Sequence, residues 1–483
     1  MPPSPSFRPS TQHAFLGDRF FDPVRAAEFP QTVLRFRNQA AASRIGLDEL
    51  DDAEWVAHFG RFEPLPGSFD RPLALRYHGH QFRSYNPQLG DGRGFLFAQA
   101  HDLVDGRLLD LGTKGSGTTP WSRGADGRLT LKGGVREVLA TSMLEALGVD
   151  TSKSFSLIET GEALVRGDEP SPTRSAVLVR LSHGHIRIGS FQRQAYEEDS
   201  DALRVLLDHA VRCYLPEAAA DTLPERALRF LDAVSRRVAR TGANWMLAGF
   251  VHGVLNTDNI NITGESFDYG PWRFLPAYDP AFTAAYFDHQ GLYAFGRQPD
   301  TLLWNLARLA ESLLPLVADD PGEARDALEA VLRRFPEQFG NAHSRAMLRR
   351  LGLQSAGAET DEALHRAVWR FLHESAMPFE SFFFDWYGGR LSAPRAAAAP
   401  SAGAYAAEGF EPVRALIDRF EPRTDLRLDH PYFRDPLPCT MLVDEVEAIW
   451  APIAERDDWG PFHHKLAAIG RMAEAYGDAP SML

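Results

Sequence analysis

The chain has 483 residues, is 44% hydrophobic and 24% charged, and carries a net charge of −14 at pH 7. That length exceeds one small core and predicts a soluble globular protein of two lobes or two to three domains. The acidic balance argues against nucleic-acid binding, and no run of about 18 apolar residues marks a membrane span. Two cysteines, Cys213 and Cys439, offer neither a disulfide framework nor a zinc site and suit a reducing, cytoplasmic setting.

The first fifteen residues, MPPSPSFRPSTQHAF, lack an apolar h-region and read as a frayed polar lead rather than a signal peptide. Residues 1–70 form an N-terminal extension with a predicted helix near 48–60 and no legible function. From Leu73 to Phe97 short apolar runs alternate with glycine. The cluster Gly90-Asp91-Gly92-Arg93-Gly94 reads as the turn between two strands. Asp105-Gly106 predicts a hairpin into a strand from Arg107 to Lys114. Gly115 to Gly127 is polar and glycine-rich and predicts a loop. A helix follows from about Gly134 to Leu147, ended by Gly148, and then strands at 155–159 and 176–181.

After Asp201 the pattern turns helical. An amphipathic helix is predicted from Pro224 to about Ala248, and others over 301–317, 322–334, 360–374 and 439–453. The alanine-rich stretch from Ser392 to Gly403 reads as a surface linker.

Between Ala248 and Pro271 runs AGFVHGVLNTDNINITGESFDYGP. Asn256, Asp258, Asn259 and Asp268 are hard oxygen donors of the kind that hold Mg²⁺ or Mn²⁺ on nucleotide phosphates; the alternative is an Asn/Asp-rich turn. A His-Gly pair before them and Asp268-Tyr269-Gly270 after them match a protein kinase-like catalytic loop and its metal-binding segment. In kinases the catalytic Asp stands two residues after the His, and here that position is Val254. The pattern predicts a kinase-like nucleotide site that does not perform standard kinase chemistry.

Other groups fit such a site, each against a plainer reading. Gly90, Gly92 and Arg93 can bring backbone N–H groups and a forked donor to phosphates, or form an ordinary hairpin. Lys114 on a strand and Glu137 on the next helix can form the kinase Lys–Glu pair, or stay as solvated charges. Arg180 and Arg187 can converge on a polyphosphate, or sit on a charged surface hairpin. His183 and His185 lack a third ligand for zinc.

Taken together the motifs resemble the selenoprotein O family, also called YdiU. The matching segments include Gly79-His-Gln-Phe82, Pro87 to Arg93, Asp110 to Arg123, Asp126-Gly-Arg128, Arg136-Glu137, His185-Ile-Arg187, His252 to Asn259, Asp268 to Pro271 and Ala277 to Pro280. The resemblance implies an α+β, protein kinase-like two-lobed fold with a helical C-terminal extension. Its N-lobe would span 71–197, its C-lobe 198–391 and the extension 392–483. It also implies a protein adenylyltransferase that binds ATP in a flipped orientation and moves AMP onto protein Ser, Thr or Tyr hydroxyls, with UTP as a second donor.

By that resemblance Gly90, Gly92, Arg93, Lys114, Asp126, Gly127, Arg180 and Arg187 contact the nucleotide and Glu137 orients Lys114. Asp258 is the proton acceptor, and Asn259 and Asp268 hold Mg²⁺ or Mn²⁺. The expected partners are nucleotide and acceptor proteins, with no nucleic acid and no membrane. Two rival readings are a small-molecule phosphotransferase of the aminoglycoside-kinase type, which Val254 disfavours, and a non-catalytic nucleotide-binding pseudokinase. Several positions depart from the family. Arg83 stands where many members have glycine, Gly94 where many have alanine, and Lys132-Gly133-Gly134 replaces a more usual Arg-Ser-Ser. Ala284 and Ala285 stand where others carry a cysteine, and residues 479–483 lack a cysteine. Together these predict activity insensitive to thiol reductants.

Overall fold

The computed structural model describes residues 6–167 and 169–477; residues 479–483 lie outside that range. Strands dominate up to residue 182. They are β1 (Pro9–Ser10), β2 (Phe21–Pro23), β3 (Val33–Arg37), β4 (Leu73–Leu75), β5 (Gly79–Gln81), β6 (Ser84–Asn86), β7 (Leu96–His101), β8 (Leu108–Lys114), β9 (Leu129–Thr130), β10 (Lys153–Leu164) and β11 (Thr173–Ser182). The main sheet runs β2-β4-β7-β8-β11-β10-β3, with β1 on β7 and β9 on β11, while β5 and β6 form a separate hairpin. Every pairing among these strands is antiparallel. A shorter pair, β12 (Phe250–Val251) with β13 (Arg273–Phe274), brackets the Asn/Asp-rich loop.

Three helices serve the sheet: α1 (Gln39–Ile45), α2 (Asp52–Phe59) and α3 (Leu131–Ala146). Trp55 of α2 stacks on Phe155 of β10 and Phe59 meets the same ring edge-on, covering one face. On the other, Val135, Val138 and Leu139 of α3 join Leu157 and Leu178 in a larger core. Thr130 caps α3 by accepting from Gly133 N, so the helix begins three residues earlier than the sequence pattern predicts. The capping hydroxyl, rather than the first glycine pair, sets its start.

Beyond the sheet come α4 (Ile188–Tyr196), α5 (Ser200–Tyr214), α6 (Leu223–Leu247) and α7 (Gln298–Val317). Helices 321–332, 335–351, 358–375, 379–386, 443–456 and 460–476 follow. The fold is thus mixed, with a strand-rich first part and a helical C-terminal region.

Three expectations are corrected. Residues 6–15 are not a frayed lead: Pro9 and Ser10 pair with Ala100 and Gln99, and His13 is buried. The backbone groups of β7 beyond its short contact with β4 need a partner, and the N-terminal strand supplies it. The cluster Gly90–Gly94 is not a hairpin turn, because β6 pairs with β5 and β7 with β4 and β8. Asp91 instead ties it down, donating from its N to Leu75 O and accepting from Leu75 N at its carboxylate. Residues 392–403 are not a surface linker. They form the helices Ala393–Ala398 and Ala402–Ala406, and Arg395 donates to Tyr387 O and stacks over Phe433. The stretch keeps Ala393, Ala397 and Ala398 exposed and is anchored by Ala396 and Tyr405, both buried; its alanines favour helix over the open linker that their composition suggests.

Candidate active site

The loop after β12 is held from beneath by α7. Gln298 accepts from His252 N and donates to Phe250 O, and Asn305 donates to Leu255 O. His252, buried, reaches Phe267 O at 3.0 Å through Nε2, which ties the catalytic-type loop to the segment carrying Asp268. Val254 O accepts from Asn259 Nδ2 at 3.0 Å. The residue in the kinase base position is therefore a backbone support for Asn259, whose Oδ1 is left free to face a ligand.

Asp258 lies in a single turn of 3₁₀-helix, Thr257–Asn259. It is buried, and its Oδ1 has no hydrogen-bond partner among the described residues. Desolvation pushes its carboxyl up to about 6, against the pull of Arg187 and Arg123. A carboxylate poised near neutrality and short of hydrogen bonds can accept a proton.

Asp268 has a positive φ of 63°, which turns its side chain toward the sheet. Its Oδ1 lies 2.7 Å from Lys114 Nζ and 3.4 Å from Arg180 Nη1. Burial alone would raise this carboxyl, but Lys114, Arg180 and Arg93 together hold it well below the ordinary carboxylate range. Lys114 also bonds Glu137 directly, and both side chains are buried. The reading of solvated surface charges is thereby excluded.

Arg180 and Arg187 are buried rather than on a surface hairpin. Arg187 Nη2 reaches Asp91 at 3.3 Å, and its guanidinium lies 4.2 Å from the Tyr77 ring centre and 5.2 Å from that of Phe267. In both arginines Nε lacks an acceptor among the described residues. Both guanidiniums lie over the Phe267 ring, at 5.3 and 5.2 Å from its centre, and two buried cations at one ring can receive an anion.

The loop carrying Gly90 and Gly92 is covered by Trp121. A Cβ at Gly90 would lie 2.4 Å from the indole, and one at Gly92 would lie 2.8 Å from Trp121 O. Thr119 Oγ1 donates to Asp91 O at 2.6 Å, and Ser122 Oγ donates to Gly92 O. The two glycine-rich loops are thus one structure. Asp126 and Gly127 are set apart from the buried charges. The Asp126 carboxylate is half exposed and paired with Arg166 at 2.8 Å, while Gly127 packs on Gly117.

Lys114, Glu137, Asp268 and Arg180 therefore form one connected cluster. Arg93 and Arg187 act on its carboxylates, and Asp258 sits under the same field. Sequence reasoning missed Tyr77, Asp91, Arg123, Gln298 and Asn305. Only Asp91 carried a signal, as the acid between the two glycines.

Among the described residues no group of three or more His, Cys, Asp and Glu can hold a metal ion. The donor chemistry present is one ionised carboxylate, Asp268, and one amide, Asn259. That set fits a hard divalent cation completed by phosphate oxygens.

Comparison with known proteins bears on this geometry. The sequence profile described as "Protein adenylyltransferase SelO" matches residues 6–397. The chain is 44% identical over 481 residues to a protein of Gloeobacter violaceus named "Protein nucleotidyltransferase YdiU", covering 96% of this chain and 95% of that one. It is 42% identical over 478 residues to the protein of that name from Synechocystis, covering 93% and 94%. The one from Methylorubrum populi is 39% identical over 486 residues, covering 97% and 93%.

Proposed function

The chain belongs to the protein adenylyltransferase SelO family, whose curated relatives are named YdiU, and from that premise we propose a specific reaction and a role for each residue. The protein is a nucleotidyltransferase that moves AMP from ATP, and UMP from UTP as a second donor, onto Ser, Thr or Tyr hydroxyls of other proteins. The scaffold is read as kinase-like and two-lobed, working in a reducing, cytoplasmic setting.

The observation that carries this reading is Asp258: a buried carboxylate with an unpartnered oxygen and a pKa raised to about 6, four residues beyond Val254. It takes the proton from the acceptor hydroxyl. The hydroxyl oxygen bonds to the α-phosphorus, the bond from that phosphorus to the bridging oxygen breaks, and pyrophosphate leaves with its electron pair. Arg180 and Arg187 offer their free Nε–H groups to the triphosphate. Lys114, fixed by Glu137, and Arg93 add positive charge, and the backbone of Gly90, Gly92, Asp126 and Gly127 lines the nucleotide. Asn259 and Asp268 hold Mg²⁺ or Mn²⁺, which when bound offsets phosphate charge. Most of the acceleration is then positioning and electrostatics.

The test uses ATP labelled separately at the α- and γ-phosphates, with the wild type and Asp268→Ala. Protein-bound label from α-labelled ATP alone, absent in the variant, is the expected result. Label from γ-labelled ATP would make it a kinase. Nucleotide binding without label from either would make it a pseudokinase.

A further inference from the structure

The hairpin β5–β6 turns through two residues, Phe82 and Arg83, with Gln81 and Ser84 paired across it. Both have positive φ, 49° and 65°, a left-handed pair that two-residue hairpins normally fill with Asn and Gly. Two bulky side chains held in a conformation that disfavours them point to a use for those side chains. Each is displayed. Phe82 is 38% exposed, and its ring packs 4.9 Å from Tyr293 and 5.8 Å from Phe287, itself 42% exposed. Tyr286, 77% exposed, continues the strip at 5.1 Å from Phe287. Arg83 lies over Trp304 and pairs with no carboxylate among the described residues.

The hairpin also abuts the proposed base. At its start, a Cβ on Gly79 would lie 3.1 Å from Asp258 Oδ1. His80 N donates to Thr257 Oγ1 and Phe82 N to Asn256 Oδ1, which also accepts from Tyr293 OH. Phe82 stands three residue steps along the chain from Gly79, a span of about 10 Å. An extended peptide with its hydroxyl at Asp258 reaches the aromatic strip with a side chain about three residues away. Charge points to the same occupant. Arg83, beside Tyr293, and the exposed Arg123, whose charge acts on Asp258, pair with no carboxylate among the described residues, while Asp288 is turned inward onto Leu292 N and Tyr293 N. A cleft of about 720 Å³ lined by Thr283, Ala285, Tyr286 and His289 continues past the strip.

We propose that Phe82, Arg83, Phe287 and Tyr286 form the acceptor-docking surface, and that it selects protein segments with an aromatic or aliphatic residue about three positions from the hydroxyl and a carboxylate beside it. This rests on the nucleotidyl-transfer reading above.

The probe is a degenerate peptide library with a central Ser, Thr or Tyr and one flanking position fixed at a time, offered with α-labelled ATP to the full chain. Arg83→Gly, which suits the left-handed turn, and Phe287→Ala, an exposed truncation, are compared with wild type, and ATP affinity is measured alongside. Wild type is expected to favour acidic and apolar flanks by about 3–10-fold. Arg83→Gly should lose the acidic preference and Phe287→Ala the apolar one through KM for peptide, with ATP affinity unchanged. Wild-type labelling with the same preferences in both variants would overturn the docking surface alone. No labelling of any peptide or protein by wild type would overturn the transfer reading and this inference with it. A concentration-dependent dimer broken by Phe287→Ala would show that a second copy covers the strip, which also overturns it.

Discussion

Lys114 Nζ lies between two carboxylates, bonded to Glu137 and 2.7 Å from Asp268 Oδ1. The ammonium joins the helix α3, the sheet and the loop after β12 at one point, so it is at once a structural tie and part of the site.

Removing it therefore tests both roles. Lys114→Met leaves Glu137 buried without its partner and should destabilise the chain by about 3–5 kcal/mol. Adding Glu137→Gln should recover part of that loss, since the one carboxylate left, Asp268, still has Arg180 and Arg93 beside it. Transfer should stay absent in both. Denaturant unfolding of the two variants and wild type, with label transfer measured in parallel, checks this.

Asp258 predicts opposite effects on activity and stability. Its carboxyl holds a proton up to about pH 6 in the folded chain against an ordinary 3.8. Its contribution thus favours folding at low pH, and that contribution is lost as pH rises from about 4 through 6. At neutral pH the charged form is a net cost of up to about 3 kcal/mol. Asp258→Asn should unfold later than wild type at pH 7.5, with the difference vanishing near pH 4, while transfer falls roughly 10²–10⁴-fold. In the wild type, kcat/KM should drop below about pH 6. Equal stability at pH 7.5 would contradict the burial argument.

Stripping divalent cations with EDTA should abolish label transfer, and Mg²⁺ or Mn²⁺ should restore it. Asp268→Ala should not be rescued by either ion. The variant also frees Lys114 and Arg180 from a carboxylate, so its nucleotide affinity without metal should be kept or raised, which titration calorimetry measures.

Gly94→Ala places a Cβ 2.1 Å from the backbone oxygen of Thr113. Backbone cannot yield as a side-chain tip can, so the change should destabilise by about 1–3 kcal/mol. It should also loosen the adjacent Arg93, read as weaker ATP binding. Thermal unfolding and nucleotide titration report the two effects.

The catalytic-type loop was legible because its chemistry is local. Asn256, Asp258, Asn259 and Asp268 lie within thirteen residues, and the His-Gly pair frames them. Lys114 and Glu137 were legible only as a strand lysine and a helix glutamate in the right order; their contact depends on α3 packing across the sheet. Asp91 and Arg187 meet across 96 positions, and Gln298 and Asn305 brace the loop from a helix that reads as ordinary amphipathic pattern. Nothing local distinguishes such supports. The alanine-rich stretch misleads for the converse reason: composition that signals a linker also favours helix, and only the neighbouring Tyr387 and Phe433, which hold Arg395, decide which.

The segment 443–476 returns to the start of the chain. Lys132 of α3 pairs with Glu447 at 2.7 Å, and Asp457 meets Arg35 of β3 and Arg174 of β11 at 3.1 and 2.7 Å. During synthesis the helix bearing Glu137 leaves the ribosome more than three hundred residues before the helices that cover it. The emerging chain must keep that apolar surface bare, or shielded by a chaperone, until its last helices arrive. A stop codon placed before residue 443 would therefore yield a product with every candidate site residue present and the outer side of α3 exposed, prone to aggregation rather than merely inactive.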